Sequence, residues 1–522
     1  MTRSFLIFNG NYIFNTYDVD NDDFTEEFNK PKIELREVGT NKVQWSENSI
    51  YPRFYISEKN RQIYYFKNQD WWVYDIASNL TCNLTSTLSD VFFQFNRSNT
   101  KVKIPFDDVY FNWDESKLYF TSKRNIWRYD VAKSNFQQLT NNEDETIRCQ
   151  IVKDNEVRRI IYRLQWQGNP EIDDHYLIFK KIKNNGLLEG LFVLMNGKEK
   201  TIENFGINSI SKIKSTGKYI SYISQNANQP MAINTVDITK AQHKLIFKTN
   251  TENYYNSSTV FPKTHLLSWQ NKNGLKFSCS VTLPADYDCT KKYPVIINIY
   301  ENEALKFKEF VYPSLHNQAG FNRTLFAENG YVVILPQINY SVDKPGESAL
   351  ESVTEAINFI EGRFKIDRTR LGIVGHSFGG YEVDYIISHS NIFKAAISGA
   401  SLADITASYF SLNKNFIRPD YWRYTDQSFR MSHSFFENRE IYLENNPIFA
   451  ADKVNTPVLI WSGKEDFHVD KNQSISFYLA LRSLHKIAKL YLIPGEQHLL
   501  LMKNNQASAT KLFLAWFNYY LK

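Results

Sequence analysis

Three residues far apart in the chain have the types and the order needed for nucleophilic catalysis: Ser377, Asp466 and His498. Ser377 lies in the run LGIVGHSFGGYEVDYIIS, Leu371 to Ser388, with Gly375 two places before it and Gly379 two places after. Leu371, Ile373 and Val374 predict a short buried strand, and Tyr381 to Ser388 predict the start of a helix. A strand-to-helix turn this tight excludes side chains at both glycines. It exposes the serine at its tip, beside helix N–H groups that favour negative charge. A glycine-rich turn that happens to contain a serine is the plain alternative.

A serine hydroxyl is a weak nucleophile, so an imidazole must take its proton and a carboxylate must fix the imidazole's tautomer. Both partners stand after predicted strands. Val458–Trp461 is followed by SGKEDFHVD, which holds Asp466, and Leu490–Ile493 is followed by PGEQHLL, which holds His498. The order Ser–Asp–His is that of α/β-hydrolases. Rivals share this part of the chain: Glu465 and Asp470 for the acid, His468 and His485 for the base.

The elements that must position these residues fill the second half, placed at 259–522. HLLSWQNKNGLKFSCSVTLPADYD predicts a hairpin, and buried-type runs follow at Val295–Tyr300, Tyr331–Leu335, Leu371–Val374, Ala395–Ile397, Val458–Trp461 and Leu490–Ile493. Helical spacing fills the gaps. Leu350, Val353, Ile357 and Ile360 precede Gly362 as a C-cap, Ile475, Leu479 and Leu484 mark another helix, and Leu512–Leu521 closes the chain. Such alternation means a largely parallel sheet with helices on both faces, whose active groups lie beyond the strands' carboxyl ends.

The first half, placed at 1–258, reads as an all-β, propeller-like domain. Ile63–Thr85 and Leu118–Thr140 superpose without a gap: Trp72 falls on Trp127, Tyr74 on Tyr129, Asp75 on Asp130 and Thr85 on Thr140, 55 residues apart in each case. A period of this length with short aromatic strands suggests propeller blades. A weaker copy spans Lys218–Phe247, with Val236-Asp237 where the Tyr-Asp pairs stand. The tryptophans and tyrosines are expected to pack between blades, and Asp75 and Asp130 to cap turns. The length allows four or five blades, short and incomplete or irregular. The polar stretch Asn250–Pro262 is the expected joint.

Net charge is +5 over 522 residues with no dense basic run, so neither nucleic acid nor an acidic membrane surface is expected as a partner. Four scattered cysteines without a C-x-x-C suggest reduced thiols in a cytoplasm. The apolar run Phe5–Phe8 is too short for a signal-peptide core, and no stretch approaches a membrane span. The chemistry requires no metal or organic cofactor, and oligomeric state is not readable.

Further motifs carry a family resemblance: KKYPVIINIY (Lys291–Tyr300), FNRTLFAENGYVVILP (Phe321–Pro336), PGESALESV (Pro345–Val353), GHSFGGYE (Gly375–Glu382), ENNPIFAADKVNTPVLIWSGKEDFHV (Glu444–Val469) and GEQH (Gly495–His498). From about Phe261 onward the chain resembles the catalytic domain of the prolyl oligopeptidase family of serine peptidases, especially its bacterial branch related to dipeptidyl peptidase IV and acylaminoacyl-peptidases. The resemblance implies an α/β-hydrolase domain capped by a β-propeller. It selects Asp466, three residues before Val469, as the acid. It implies an oxyanion hole made by the Tyr300 hydroxyl and the Phe378 N–H. It also implies that Ala403–Arg430 helps line the pocket for the residue before the scissile bond, with Tyr381, Tyr409, Phe410, Tyr421 and Trp422 as candidates. Three departures stand out: the first half is shorter than a family propeller, Asn339 stands where relatives often carry arginine, and no paired glutamates hold a free amino terminus. Asp173 and Asp174 are the nearest acidic pair and read as a solvated loop.

The expected function is a serine peptidase that hydrolyses short peptides through an acyl-enzyme. An esterase or a peptide cyclase would use the same triad. A binding module built on a hydrolase scaffold that does not turn over is the alternative from another class.

Overall fold

The computed structural model describes residues 2–17, 32–48, 50–95, 103–153, 169–173, 175–240, 242–249, 261–415 and 418–522. The chain divides into two compact units, one of residues 1–224 with 231–248 and the other of residues 225–230 with 249–522. Residues 250–260 of the expected joint lie outside the described residues.

The first unit is propeller-like. Its described residues include five sheets of four or five strands, each built largely from strands adjacent in sequence. The repeat found in the sequence is a repeat of register. Trp72 pairs with Asn83 and Tyr74 with Thr81 in one sheet; 55 residues on, Trp127 pairs with Gln138 and Tyr129 with Phe136 in the next. The threonine that closes each copy does the same job twice. Thr85 Oγ1 accepts from the Trp71 N–H at 3.1 Å and Thr140 Oγ1 from the Ile126 N–H at 3.0 Å, fastening each outer strand to its neighbour. Asp75 and Asp130 cap turns as expected, accepting from the Ser78 and Lys133 N–H groups, and Asp237 of the weaker copy accepts from Thr239. Tyr74, Trp127 and Tyr129 are buried in apolar clusters, and Trp72 is half-buried against one.

The second unit is an α/β-hydrolase fold around one eight-stranded sheet. Its strands are labelled here β1 (Thr264–Gln270), β2 (Lys276–Thr282), β3 (Tyr293–Ile299), β4 (Val332–Pro336), β5 (Ile366–His376), β6 (Ala395–Gly399), β7 (Val458–Gly463) and β8 (Ala488–Ile493), in spatial order β1-β2-β4-β3-β5-β6-β7-β8. β1 and β2 are antiparallel additions to an otherwise parallel sheet. The strands read as continuous apolar runs because both faces are covered, and alternate residues feed opposite layers. Val295, Ile297 and Ile299 enter one core and Ile296 the other; Leu371 and Ile373 face the first, Val374 the second.

Four long helices matter for the site: α1 (Pro345–Glu361), α2 (Phe378–His389), α3 (Asn472–Ser483) and α4 (Lys503–Leu521). Gly362 does end α1, but at φ −71°, a conformation open to any residue, so its glycine is not required there. α4 starts well before the expected Leu512. Its first turns, KNNQASATK, are polar, and only Gln506, Ala509 and Thr510 turn inward, which hides the helical period. No helix among the described residues is long and apolar enough to cross a membrane.

α4 packs flush on the sheet because β5 carries a glycine beneath it. A Cβ on Gly372 would lie 2.7 Å from the Phe517 ring and 2.9 Å from Leu521. Gly372→Ala is therefore expected to destabilise the second unit by about 1–3 kcal/mol through overpacking. A lowered urea midpoint would register this, and an unchanged midpoint would contradict the packing argument.

Candidate active site

The site is built outward from one turn. β5 ends at His376 and α2 begins at Phe378, leaving Ser377 alone between them at φ 60°, ψ −122°. A residue with a Cβ held there stores about 1–3 kcal/mol of strain. The turn is fastened on both sides: the Ser377 N–H donates to Gly399 O at 2.8 Å, and Ser377 O accepts from the Tyr381 N–H at 3.1 Å. Both flanking glycines are sterically required. A Cβ on Gly375 would lie 2.1 Å from Gly379 O, and one on Gly379 would lie 2.2 Å from Ile299 O.

Two loops at neighbouring strand exits bring the other groups in. His498 Nε2 stands 2.8 Å from Ser377 Oγ, and His498 Nδ1 stands 2.8 Å from Asp466 Oδ2. A carboxylate oxygen only accepts, so Nδ1 carries the proton and bare Nε2 accepts from the serine hydroxyl. Asp466 is 6% exposed, and its other oxygen accepts the His468 and Val469 N–H groups at 2.8 and 2.9 Å. Burial alone would push this carboxyl up. The bond and charge of His498, with the two amide donors, outweigh burial and hold it below the usual carboxylate range.

None of the rivals is hydrogen-bonded to Ser377 through its side chain among the described residues. Asp470 caps the start of α3 through the Asn472 N–H and faces Lys414 at 3.5 Å. His485 lies past the end of α3. The His468 ring packs 4.6 Å from the His498 ring, and its Nδ1 meets Asn415 Nδ2. Burial, the Arg423 charge and His498 push His468 down to about 3. The side chain of Glu465 is exposed, while its N–H donates to Glu496 O.

Tyr300 follows β3, and its hydroxyl makes no hydrogen bond to a described residue; the same holds for the N–H of Phe378. Burial and the charges of Glu301 and Glu382 push the Tyr300 hydroxyl up to about 12, so it keeps its proton and remains a donor. Two groups that sequence reasoning passed over hold the loop of His498. Glu496, fully buried, accepts the Leu501 and Met502 N–H groups and Asn505 Nδ2. His376, next to Ser377, has its Nε2 2.7 Å from His498 O. The only sequence signal for either is adjacency, one place from Ser377 and two from His498.

The chain is similar to known proteins. A family model described as the prolyl oligopeptidase family matches residues 318–522, which contain Ser377, Asp466 and His498. Over those residues the chain is similar to the prolyl oligopeptidase family of serine peptidases. A dipeptidyl-peptidase 5 from Porphyromonas endodontalis is 26% identical over 268 residues, 49% of this chain and 37% of that protein. A lasso peptide isopeptidase from Asticcacaulis excentricus is 22% identical over 311 residues, 57% of this chain and 43% of that protein. The matches thus span less than half the length of these curated relatives. Among solved structures, a putative dipeptidyl aminopeptidase IV from Bacteroides ovatus superposes with a TM-score of 0.67 at 16% identity, covering 99% of this chain and 77% of that one. It shares the fold.

The segment Ala403–Arg430, expected from the sequence to help line a pocket, is aromatic, with its members at different depths. Tyr409 is buried, Phe410 is 55% exposed, and Tyr421 and Trp422 are half-buried. Tyr381 is fully buried, its hydroxyl donating to Asn445 O at 3.1 Å, so it backs the aromatic cluster from inside. Phe378 joins the same cluster, 5.1 Å from Phe429 and 5.4 Å from Tyr381. Asn339 bonds to Ser352 Oγ and Lys276 O, fixing its loop to α1 and β2. Of the acidic pair, Asp173 accepts the His175 N–H, and Asp174 lies outside the described residues.

Behind Ser377, α2 carries two buried carboxyls. Glu382 accepts from the Tyr340 hydroxyl and Asp384 from Ser401, and burial pushes them up to about 8 and about 7. Both fall well above the values of an unfolded chain, so the fold holds protons that the unfolded state releases. Stability from these groups is therefore fully present in acid and is lost as pH rises from about 4 toward 8. Asp384→Asn removes one such group, and its melting temperature should fall less than the wild type's between pH 5 and pH 8. Parallel curves would show that Asp384 does not titrate in this range.

Proposed function

We propose that the chain is a serine peptidase that cleaves peptide bonds of short peptides through an acyl-enzyme. The observation that carries this reading is the unbroken hydrogen-bond path from Asp466 Oδ2 through His498 to Ser377 Oγ, with both links at 2.8 Å. In this mechanism the Ser377 hydroxyl attacks the scissile carbonyl carbon as His498 Nε2 takes its proton. The oxyanion that forms is held by the Tyr300 hydroxyl and the Phe378 N–H. His498 then gives the proton to the departing amine, leaving an ester on Ser377 that water hydrolyses by the reverse transfers. Asp466 keeps the imidazole oriented and stabilises its charged form.

The aromatic residues Tyr409, Phe410, Tyr421 and Trp422, with Tyr381 behind them, are proposed to bound an apolar pocket for the residue before the scissile bond. One relative is named as a lasso peptide isopeptidase, and side-chain amide bonds fall within the proposed range. Cys82 and Cys289 are exposed free thiols, which supports a reducing, cytoplasmic setting.

A fluorophosphonate probe tests the reading directly. Folded wild-type protein should label at one site, and Ser377→Ala should abolish labelling without lowering the melting temperature. His498→Ala should reduce peptide turnover by at least about a thousandfold. Absence of labelling in folded wild-type protein would favour a binding scaffold. Mass spectrometry of a diverse peptide mixture after incubation would reveal which bonds are cut and whether any product is cyclic.

A further inference from the structure

We infer that His376 is a positioning residue for His498, on the reading above that Ser377 and His498 act as nucleophile and base. β5 ends by delivering two consecutive side chains to one partner. Ser377 Oγ meets the ring of His498 at Nε2, 2.8 Å away, and His376 Nε2 meets the same residue's main-chain carbonyl oxygen at 2.7 Å. A carbonyl only accepts, so His376 Nε2 is the donor. The donor is itself fixed: its ring stacks on Trp461, with ring centres 5.3 Å apart and planes at 21°, and lies 4.7 Å from the ring of His498.

The other anchors of this loop act on either side of His498. Glu496 O accepts the Glu465 N–H, the Glu496 carboxylate takes the Leu501 and Met502 N–H groups, and the Leu500 N–H donates to Gln318 O. Among the described residues, no other hydrogen bond reaches the backbone of residue 498. Displacement of the backbone at residue 498 would carry its Cβ, and the ring with it, away from Ser377. Displacement of a reacting group by about 1 Å costs on the order of a hundredfold in rate. His376 resists that displacement without adding charge, because burial and His498 push its ring down to about 3.

The test compares His376→Phe, which keeps an aromatic ring but has no donor, with His376→Gln, whose side-chain amide places a donor near the position of Nε2. The rate constant for fluorophosphonate labelling should fall about 10- to 100-fold in the Phe variant and return to within about threefold of wild type in the Gln variant. Both should melt like wild type. If the Phe variant does not fold, His376→Leu takes its place as the donorless variant. Wild-type labelling in a donorless variant, or equal loss in the Gln variant, would overturn the inference. Ser377→Ala in the same assay separates the two layers. If it retains labelling, the assignment of the nucleophile fails; if it abolishes labelling while donorless variants keep the wild-type rate, only the role of His376 fails.

Discussion

The strained turn at Ser377 is the constraint around which the second unit is arranged. No side chain is favoured at φ 60°, ψ −122°, so this conformation persists only because its flanks leave it no alternative. Gly375 and Gly379 allow the first turn of α2 to close against the ends of β5 and β3, within distances that a Cβ would violate. The cost is met by burial. Ile373 before the turn, and Val383, Ile386 and Ile387 after it, are fully buried in one core, and each such side chain contributes about 1.5–3 kcal/mol. Two of them offset the strain, and the remainder fix the relative position of strand and helix.

That turn has value only if two distant loops reach it. The cost of closing long loops grows only logarithmically with length, so sequence separation is a minor obstacle once the sheet exists. What the loops need is fixed backbone. The acid loop receives it from its own amides, which converge on Asp466, and from the segment beyond β6. There Arg423 Nη2 and Asn413 Nδ2 donate to His468 O, and the Asn415 N–H donates to Phe467 O. The segment proposed to touch substrate is thus bonded directly to the loop that carries the acid. The base loop is anchored at Glu496, whose buried carboxylate sits against the N–H groups at the start of α4.

The sequence made the sheet legible because buried parallel strands are written as short apolar runs, and all six such runs fall on strands of the sheet. Ser377, Asp466 and His498 were legible because each follows such a run. The 55-residue repeat was legible because the same pairings recur with the same residue types at Trp72 and Trp127 and at Thr85 and Thr140. Other features had no local signature. The start of α4 is polar, and no periodicity marks it. His376 acts on a carbonyl 122 residues away, a contact that spacing cannot reveal. Tyr381 falls at a place where a pocket wall was expected, yet helix geometry turns it inward toward Asn445.

The electrostatics around His498 explain why so many of its neighbours are held neutral. In the proposed reaction its ring becomes an imidazolium for the life of the tetrahedral intermediate. A unit charge about 4 Å away is worth about 1 kcal/mol in water and about 4 kcal/mol at the effective dielectric of a partly buried site. Asp466, held ionised, supplies that stabilisation with favourable sign. His376 and His468 both pack within 5 Å of the same ring, and either of them in its charged form would cancel much of it. Burial pushes both down to about 3, so neither opposes the developing charge. Two arginines of the segment beyond β6 are also matched, Arg423 with Asp420 and Arg430 with Glu301. The charged group hydrogen-bonded to the ring is thus a carboxylate, Asp466, and neither packed histidine opposes it. A lysine in place of His376 would provide a donor at the cost of that balance, whereas its buried imidazole provides the donor and stays neutral.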